Sequence, residues 1–302
     1  METQDSPTTR LDHYIESMLP WAHGHPRKAI RDFVPAIIDQ QTGCQAQLAR
    51  RFGNQEAAAK RLSRLVHNER LEPRHLADAV LLQALGQLPA HGPVRLAIDW
   101  TSAGPQPLLV VSLIMGRRAV PISWRAYDAA VLKGRLKRYE LAVIRRAVTR
   151  VIRKVGRRRV RVTADRGFAD VALFTLLTAL GVAFVIRAKK STKICIAGVW
   201  RQRDTLCFAG NMRRRPLGHL LYCASHPQAL WVTMRRKRDA HGKWGIWYLL
   251  TNRPYTAEQA VAEYAHRPGC EAGFRDVKWW LGFAQARVKQ ITGEPPVSLR
   301  DM

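Results

Sequence analysis

A chain of 302 residues is long enough for two domains and a sizeable core. It carries 50 Lys plus Arg against 23 Asp plus Glu, a formal net charge of +27, and such self-repulsion argues for a polyanionic partner. No long amphipathic basic helix and no lipidation signal is present, which favours nucleic acid over a membrane surface.

Residues 1 to about 90 read as helical. Leu11–Leu19 is a short helix closed by Pro20, and from Arg27 to Gln41 the apolar residues Ile30, Phe33, Val34, Ile37 and Ile38 recur at helical spacing. Gln45–Phe52 is followed by Gly53, the candidate N-cap Asn54 and a helix from Gln55 to His67. That helix buries Ala58, Leu62 and Leu65 and shows Lys60, Arg61 and Arg64 on another side. A short helix, a glycine turn and a basic helix resemble a helix-turn-helix, in which Lys60, Arg61 and Arg64 would contact DNA. An ordinary helical hairpin with a solvated basic face is the equal alternative. Arg74–Leu88 is a further amphipathic helix, and Pro89–Pro93 reads as a linker.

From Val94 the hydrophobic period changes. Val94–Asp99 is a short strand ending in an acid, Pro107–Met115 a strand covered on both faces, and Ala119–Trp124 a third strand after the turn Gly116-Arg117-Arg118. Leu136–Val155 is an amphipathic helix with Gly156 at its end. A strand from Val160 to Ala164 then runs into Asp165, followed by a helix Ala169–Leu180 and a strand Val182–Arg187. Three strands, helix, strand, helix, strand imply a mixed α/β sheet with helices on its faces. If the first and fourth strands are neighbours, Asp99 and Asp165 meet beyond their ends, where sites gather in such sheets. Either acid alone reads as a common turn residue.

Residues 188 to about 253 read as a β-rich, cationic insertion. Its pieces are Lys193–Ile196, Leu220–Cys223, Ala229–Met234 and Gly245–Leu250, with basic turns at Arg213–Arg215 and Arg235–Arg238. Asp239-Ala240-His241-Gly242 reads as a hairpin loop. Such a surface suits a phosphate backbone, with a Lys- and Arg-protected sheet edge as the plainer reading. Thr256 and Gln259 form a capping box, and a second helix begins at Pro268, carrying Glu271, Phe274 and Lys278 into a packed end at Trp279-Trp280-Leu281.

The five cysteines form no C-x-x-C pair, which argues against a disulfide framework or a zinc knuckle and fits a reducing, cytoplasmic setting. Met1–Asp5 shows no secretory leader. With no His or Cys cluster of metal-ligand spacing, the acids Asp99, Asp165 and Glu271 favour hard-cation chemistry, with Mg²⁺ or Mn²⁺, two ions in one site, serving an in-line phosphoryl displacement. Three gathered carboxylates repel one another unless cations occupy the site. Arg166, Arg267 and Lys278 would then lie near phosphates. Paired carboxylates also serve glycosidases, but the basic surface favours phosphate chemistry.

Tyr264-x2-Arg267-x3-Glu271-x6-Lys278 resembles the Y-R-E-K signature of the "IS-four" family of insertion-sequence transposases. Ala164-Asp165-Arg166-Gly167-Phe168 is similar to that family's motif around its second acid, and Ile98-Asp99-Trp100-Thr101 to its first. The likeness runs from about residue 45 to the C-terminus. It implies an RNase H-like catalytic core with Asp99, Asp165 and Glu271 as a metal-binding DDE triad. It further implies hydrolysis at a transposon end, a hairpin intermediate, and attack of the freed 3′-hydroxyl on target DNA. Tyr264, Arg267 and Lys278 carry over as contacts to transposon-end phosphates, and two copies are expected in a synaptic complex. Family members place other residues where Pro268 and Cys270 stand. They also continue through a helical segment that Ser298–Met302 breaks off before, so a C-terminally shortened enzyme is expected.

The expected organisation is a helical DNA-binding region over 1–90, an RNase H-like core over 94–187, the β insertion over 188–253, and the Glu-bearing remainder of the core over 254–302. Two alternatives to a transposase stand beside it: a chain that binds transposon ends without cleaving them, and a nuclease without strand transfer.

Overall fold

The computed structural model describes residues 7–103, 106–189, 191–202, 206, 208, 212–238 and 242–280. Most of Asp239-Ala240-His241-Gly242, the side chains of Trp279 and Trp280, and everything from Leu281 on, Ser298–Met302 included, lie outside these residues.

Five helices come first: α1 Pro7–Met18, α2 Gly24–Gln40, α3 Gln45–Ala49, α4 Gln55–Val66 and α5 Pro73–Gly86. Asn54 caps α4 as expected, its side chain accepting from the Ala57 amide. Phe33 and Ala36 of α2, Leu48 of α3 and Leu62 of α4 form a small core of their own. A second cluster, around Ile15, Leu19 and Ala22, joins α1 to α2 and α5.

The sheet begins with β1 Val94–Ala103, β2 Gln106–Met115 and β3 Arg118–Ala126. Then come α6 Ala129–Leu132, α7 Leu136–Val155, β4 Val160–Ala164, a short 3₁₀ turn Arg166–Phe168, α8 Val171–Ala179 and β5 Ala183–Arg187. The remainder is β6 Ile194–Ile196, β7 Val199–Arg201, β8 Arg214–Tyr222, β9 Gln228–Arg238, β10 Trp244–Thr251, α9 Ala257–Tyr264 and α10 Pro268–Arg275, with a π-helical stretch Asp276–Trp280.

All ten strands make one sheet, ordered β3-β2-β1-β4-β5-β10-β9-β8-β6-β7. Only β1–β4 and β4–β5 are parallel; the other pairs are antiparallel. The strands of the 188–253 segment continue the sheet of residues 94–187, because β10 pairs directly with β5.

Three expectations need correction, the first being the basic turn at Arg213–Arg215, since Arg214 and Arg215 open β8 opposite Arg235 and Met234. β1 does not stop at Asp99: its antiparallel pairing with β2 carries it on to Ala103 opposite Gln106, so Asp99 lies inside a strand. Arg235–Arg238 are not a turn but the end of β9, each paired with a residue of Trp244–Trp247 on β10.

Side chains alternate across a strand, and the register sorts the sheet into two faces. Leu96, Ile98, Val162, Ala164, Phe184, Ile186, Val232, Met234 and Leu250 face the main core, closed by Ile144, Val148 and Val151 of α7, Leu173, Phe174 and Leu177 of α8, and Leu81 of α5. The other face carries Ala97 and Asp99 on β1, Thr163 on β4, Val185 and Arg187 on β5, Leu249 and Trp247 on β10, and Arg235 and Lys237 on β9. Helices α9 and α10 cover part of it. Val185 and Leu249 pack under Ala260, Val261 and Tyr264 of α9. Ala97, Ile114 and Ala119 pack under Cys270 of α10.

Candidate active site

The register of the parallel strands places the first two acids. Ile98 pairs with Ala164, so Asp99 and Asp165 are the next residues along neighbouring strands. Asp99 points to the face that α9 and α10 cover. Asp165 leaves β4 at its end and precedes the 3₁₀ turn that begins with the exposed Arg166.

The third acid arrives on α10. The capping box of Thr256 and Gln259 starts α9, its two bonds measuring 3.2 and 3.0 Å. The α9 face is then fixed to the sheet by a fork from Arg95 of β1 to Glu263, with contacts of 2.7, 3.0 and 3.2 Å. Pro268 restarts the helix in its first turn, where a missing amide costs nothing. Glycine lets α10 lie close to the sheet. A Cβ on Gly273 would stand 2.7 Å from the carbonyl oxygen of Ala119, and one on Gly269 3.4 Å from that of Arg118. Pro268, Gly269, Cys270 and Gly273 are therefore the residues that seat this helix.

Arg267 joins the acids. Its Nη2 donates to Asp99 Oδ2 at 2.9 Å, and its Nη1 donates to Glu271 four residues on. The side chains of Arg267 and Asp99 are 11% and 17% exposed, whereas Glu271 is 55% exposed. Burial raises the pKa of Asp99; Arg267 and the Trp100 amide pull it down, and Glu271 and Asp165 push it up again. Burial opposes the charge on Arg267, yet Asp99, Tyr264 and Glu271 together hold its pKa above the usual value. The pair is unequal: burial penalises both charges, but it prevails only at Asp99, while the guanidinium is held charged. Arg267 Nε is buried and finds no hydrogen-bond partner among the described residues.

The other residues singled out in the sequence fall in different surroundings. Tyr264 is 3% exposed and meets Trp247 edge-on at 5.7 Å between ring centroids, and burial first, then Asp165, drives its pKa upward. Lys278 is half-buried in the π-helical stretch. Lys60 and Arg64 are exposed on α4, Lys60 paired with Glu56 at 2.6 Å. Arg61 instead turns inward, 3.2 Å from Asp32 and over the rings of Phe33 and Phe52. The three cations expected on one DNA-facing side thus divide into two exposed and one that braces the helical core.

Sequence reasoning missed Glu140. It is 4% exposed on α7 and accepts from Trp100 Nε1 at 2.7 Å, fixing the residue whose amide bonds to Asp99. An acid within an otherwise apolar helical stripe was the available signal.

A family model described as the transposase DDE domain matches residues 137–293. The chain belongs to the transposase DDE domain family. No curated protein matches it. The match takes in Asp165 and Glu271, and the sheet of the transposase brings Asp99, which lies outside the matched segment, beside Asp165. The family implies DNA as the partner and divalent metal as the general cofactor. No described helix is long and apolar enough to cross a membrane.

A hard divalent cation suits the donors at this place, since every one is a carboxylate oxygen. The guanidinium of Arg267 already stands as a cation between Asp99 and Glu271. Among the described residues no three His, Cys, Asp or Glu side chains are grouped closely enough to hold a metal ion.

Proposed function

We propose that this chain is an insertion-sequence transposase of the "IS-four" kind, cleaving phosphodiesters at transposon ends and joining them to target DNA with Asp99, Asp165 and Glu271. The observation that carries the reading is the convergence on Arg267: the acid of β1, adjacent in register to the acid of β4, shares one cation with the acid of α10.

Asp99, Asp165 and Glu271 would supply the oxygen ligands for Mg²⁺ or Mn²⁺. When bound, two such ions would lower the pKa of the attacking water or 3′-hydroxyl and neutralise the leaving oxygen. The chain's own groups do the rest. Asp99 is held by its strand and by the Trp100–Glu140 bond, so the direction of this one carboxylate is set before DNA arrives. Arg267 supplies positive charge between Asp99 and Glu271, beside the scissile phosphate. Tyr264 stays a neutral phenol, fixing α9 against Trp247 rather than carrying charge. Arg166, next to Asp165 in the chain, and Lys278, on the stretch that follows α10, add positive charge. Lys60 and Arg64 supply phosphate contacts from the helical region, and two copies pair the transposon ends.

The test is a strand-transfer assay in Mg²⁺ on duplexes carrying the ends of the element that encodes the chain. Glu271→Gln should bind the ends and neither cleave nor join them. Cleavage by that variant would remove Glu271 from the triad. Cleavage without joining by the wild type would make the chain a nuclease, and binding without cleavage an end-binding protein.

A further inference from the structure

The face that holds the acids also holds cations that the reading above leaves without a task. Arg187 Cζ, Lys237 Nζ and Arg235 Cζ lie 4.3, 4.4 and 5.9 Å from the centroid of the Trp247 ring. The register produces this gathering. Arg235 is opposite Trp247, and Lys237 is opposite Gly245, whose missing side chain lets the lysine lean over the neighbouring indole. Arg187 stands opposite Leu249, next on the same face.

Cation–π attraction accounts for each contact singly. It does not account for three like charges on one ring. Among the described residues Arg235 and Lys237 meet no carboxylate at ion-pair distance, and Arg187 meets only Asp165, at 3.9 Å. Burial lowers the pKa of all three. Cations press on them besides: Arg235 and Arg187 on Lys237, Arg214 on Arg235, and Arg166 and Arg267 on Arg187. Protection of a sheet edge does not explain Arg235, which pairs with Arg214 of β8 on one side and Trp247 of β10 on the other. This half-buried cluster, balanced in part by Asp165 at Arg187 and by Glu271 acting on Lys237, destabilises the free protein and is relieved by an anion of more than one charge.

We propose that Arg187, Arg235 and Lys237, seated on the Trp247 ring, bind successive backbone phosphates of the DNA strand that lies over Asp165 and Asp99. This rests on the transposase reading and extends its DNA surface from the acids outward. Arg187 is one strand from Asp165, and β10 and β9 follow at strand spacings of about 4.8 Å. The ring serves as a seat for the cations, so recognition is of phosphate charge and is indifferent to base sequence.

The experiment uses the full chain and a 30-base-pair duplex of arbitrary sequence, with binding followed by fluorescence anisotropy across a salt series in EDTA. Losing two phosphate contacts should lower the slope of log K against log salt by about 1.8 in R235A/K237A. R153A/K154A, which removes two exposed cations from α7 on the opposite face, should keep the wild-type slope. An unchanged slope in R235A/K237A, or equal losses in the two variants, overturns the proposal. Thermal melting is the second readout: relief of repulsion should leave the midpoint of R235A/K237A level with the wild type or above it. A fall of several degrees would assign the cluster to packing and overturn the proposal. Absence of salt-dependent duplex binding by the wild type would overturn the transposase reading itself.

Discussion

Replacing Arg267 by Met keeps the length of the side chain and removes its charge. Asp99 is then a mostly buried carboxylate without its cation, and Glu271 stands nearby at 55% exposure. Removing one partner of a buried ion pair costs about 3–5 kcal/mol, whereas the exposed half-pair with Glu271 counts for about 0–1 kcal/mol. The low end of the first range is appropriate, because Asp99 keeps the Trp100 amide at 3.0 Å. A loss of about 3 kcal/mol corresponds to a fall in melting midpoint of roughly 6–12 °C at neutral pH in EDTA. The sign with pH follows from the raised pKa of Asp99, which the variant raises further. A carboxyl raised in the folded state stabilises below its unfolded pKa and loses that stability as pH rises through the folded value. The deficit of R267M should therefore shrink towards acid pH and grow on the way to neutrality. Manganese supplies a second arm. If the acids hold a divalent ion, the ion must displace the guanidinium in the wild type but not in the variant, so Mn²⁺ should raise the midpoint of R267M by more. Differential scanning fluorimetry of both chains, with and without Mn²⁺, measures all of this. Melting of R267M level with the wild type in EDTA would refute the pairing, and equal metal-induced shifts would refute the competition.

Other outcomes follow from the seating of the last two helices. Gly273→Ala drives a methyl into the Ala119 carbonyl, and urea melts should show a loss of about 1–3 kcal/mol, with Gly269→Ala clearly milder. Arg95→Met leaves Glu263, 13% exposed, with only Arg161 at 3.9 Å among the described residues. About 2–3 kcal/mol should be lost in the same assay. Burial pushes the Cys270 thiol up to about 12, so iodoacetamide at pH 8 should label Cys44, Cys195 and Cys223 of the folded chain well before Cys270, as peptide mapping by mass spectrometry would show. Its stabilising contribution is complete below the unfolded thiol pKa and disappears only as pH climbs towards 12.

The parts of the site that were legible are those written in local pattern. β4 is a β-branched, alternating Val-Arg-Val-Thr-Ala segment that meets an acid at its end, α7 keeps one stripe for its whole length, and Pro268 marks the start of α10. Each depends on residues within a few positions of one another. What escaped depends on pairing. Asp99 looks terminal because polar residues follow it, and only the hairpin with β2 extends the strand through them. Arg235–Arg238 look like a turn by composition, yet Trp244 and Trp247 across the ladder give all four of those side chains an aromatic surface to lie on. Arg267 reads as a DNA contact in one dimension. In three it is buried against Asp99, a carboxylate 168 residues away in sequence.

That separation governs when the site comes into being. The ion pair from Arg95 to Glu263 spans the same 168 residues, so both links that fix α9 and α10 to β1 close late. Chains leave the ribosome at about 5–20 residues per second. For roughly ten to thirty seconds of synthesis, a growing chain therefore carries Asp99 without the guanidinium that balances it. Contacts so distant in sequence are also the slowest to form in refolding. Recovery of the Arg267 contacts should lag behind recovery of the α2–α4 helical core, whose partners are near neighbours in the chain.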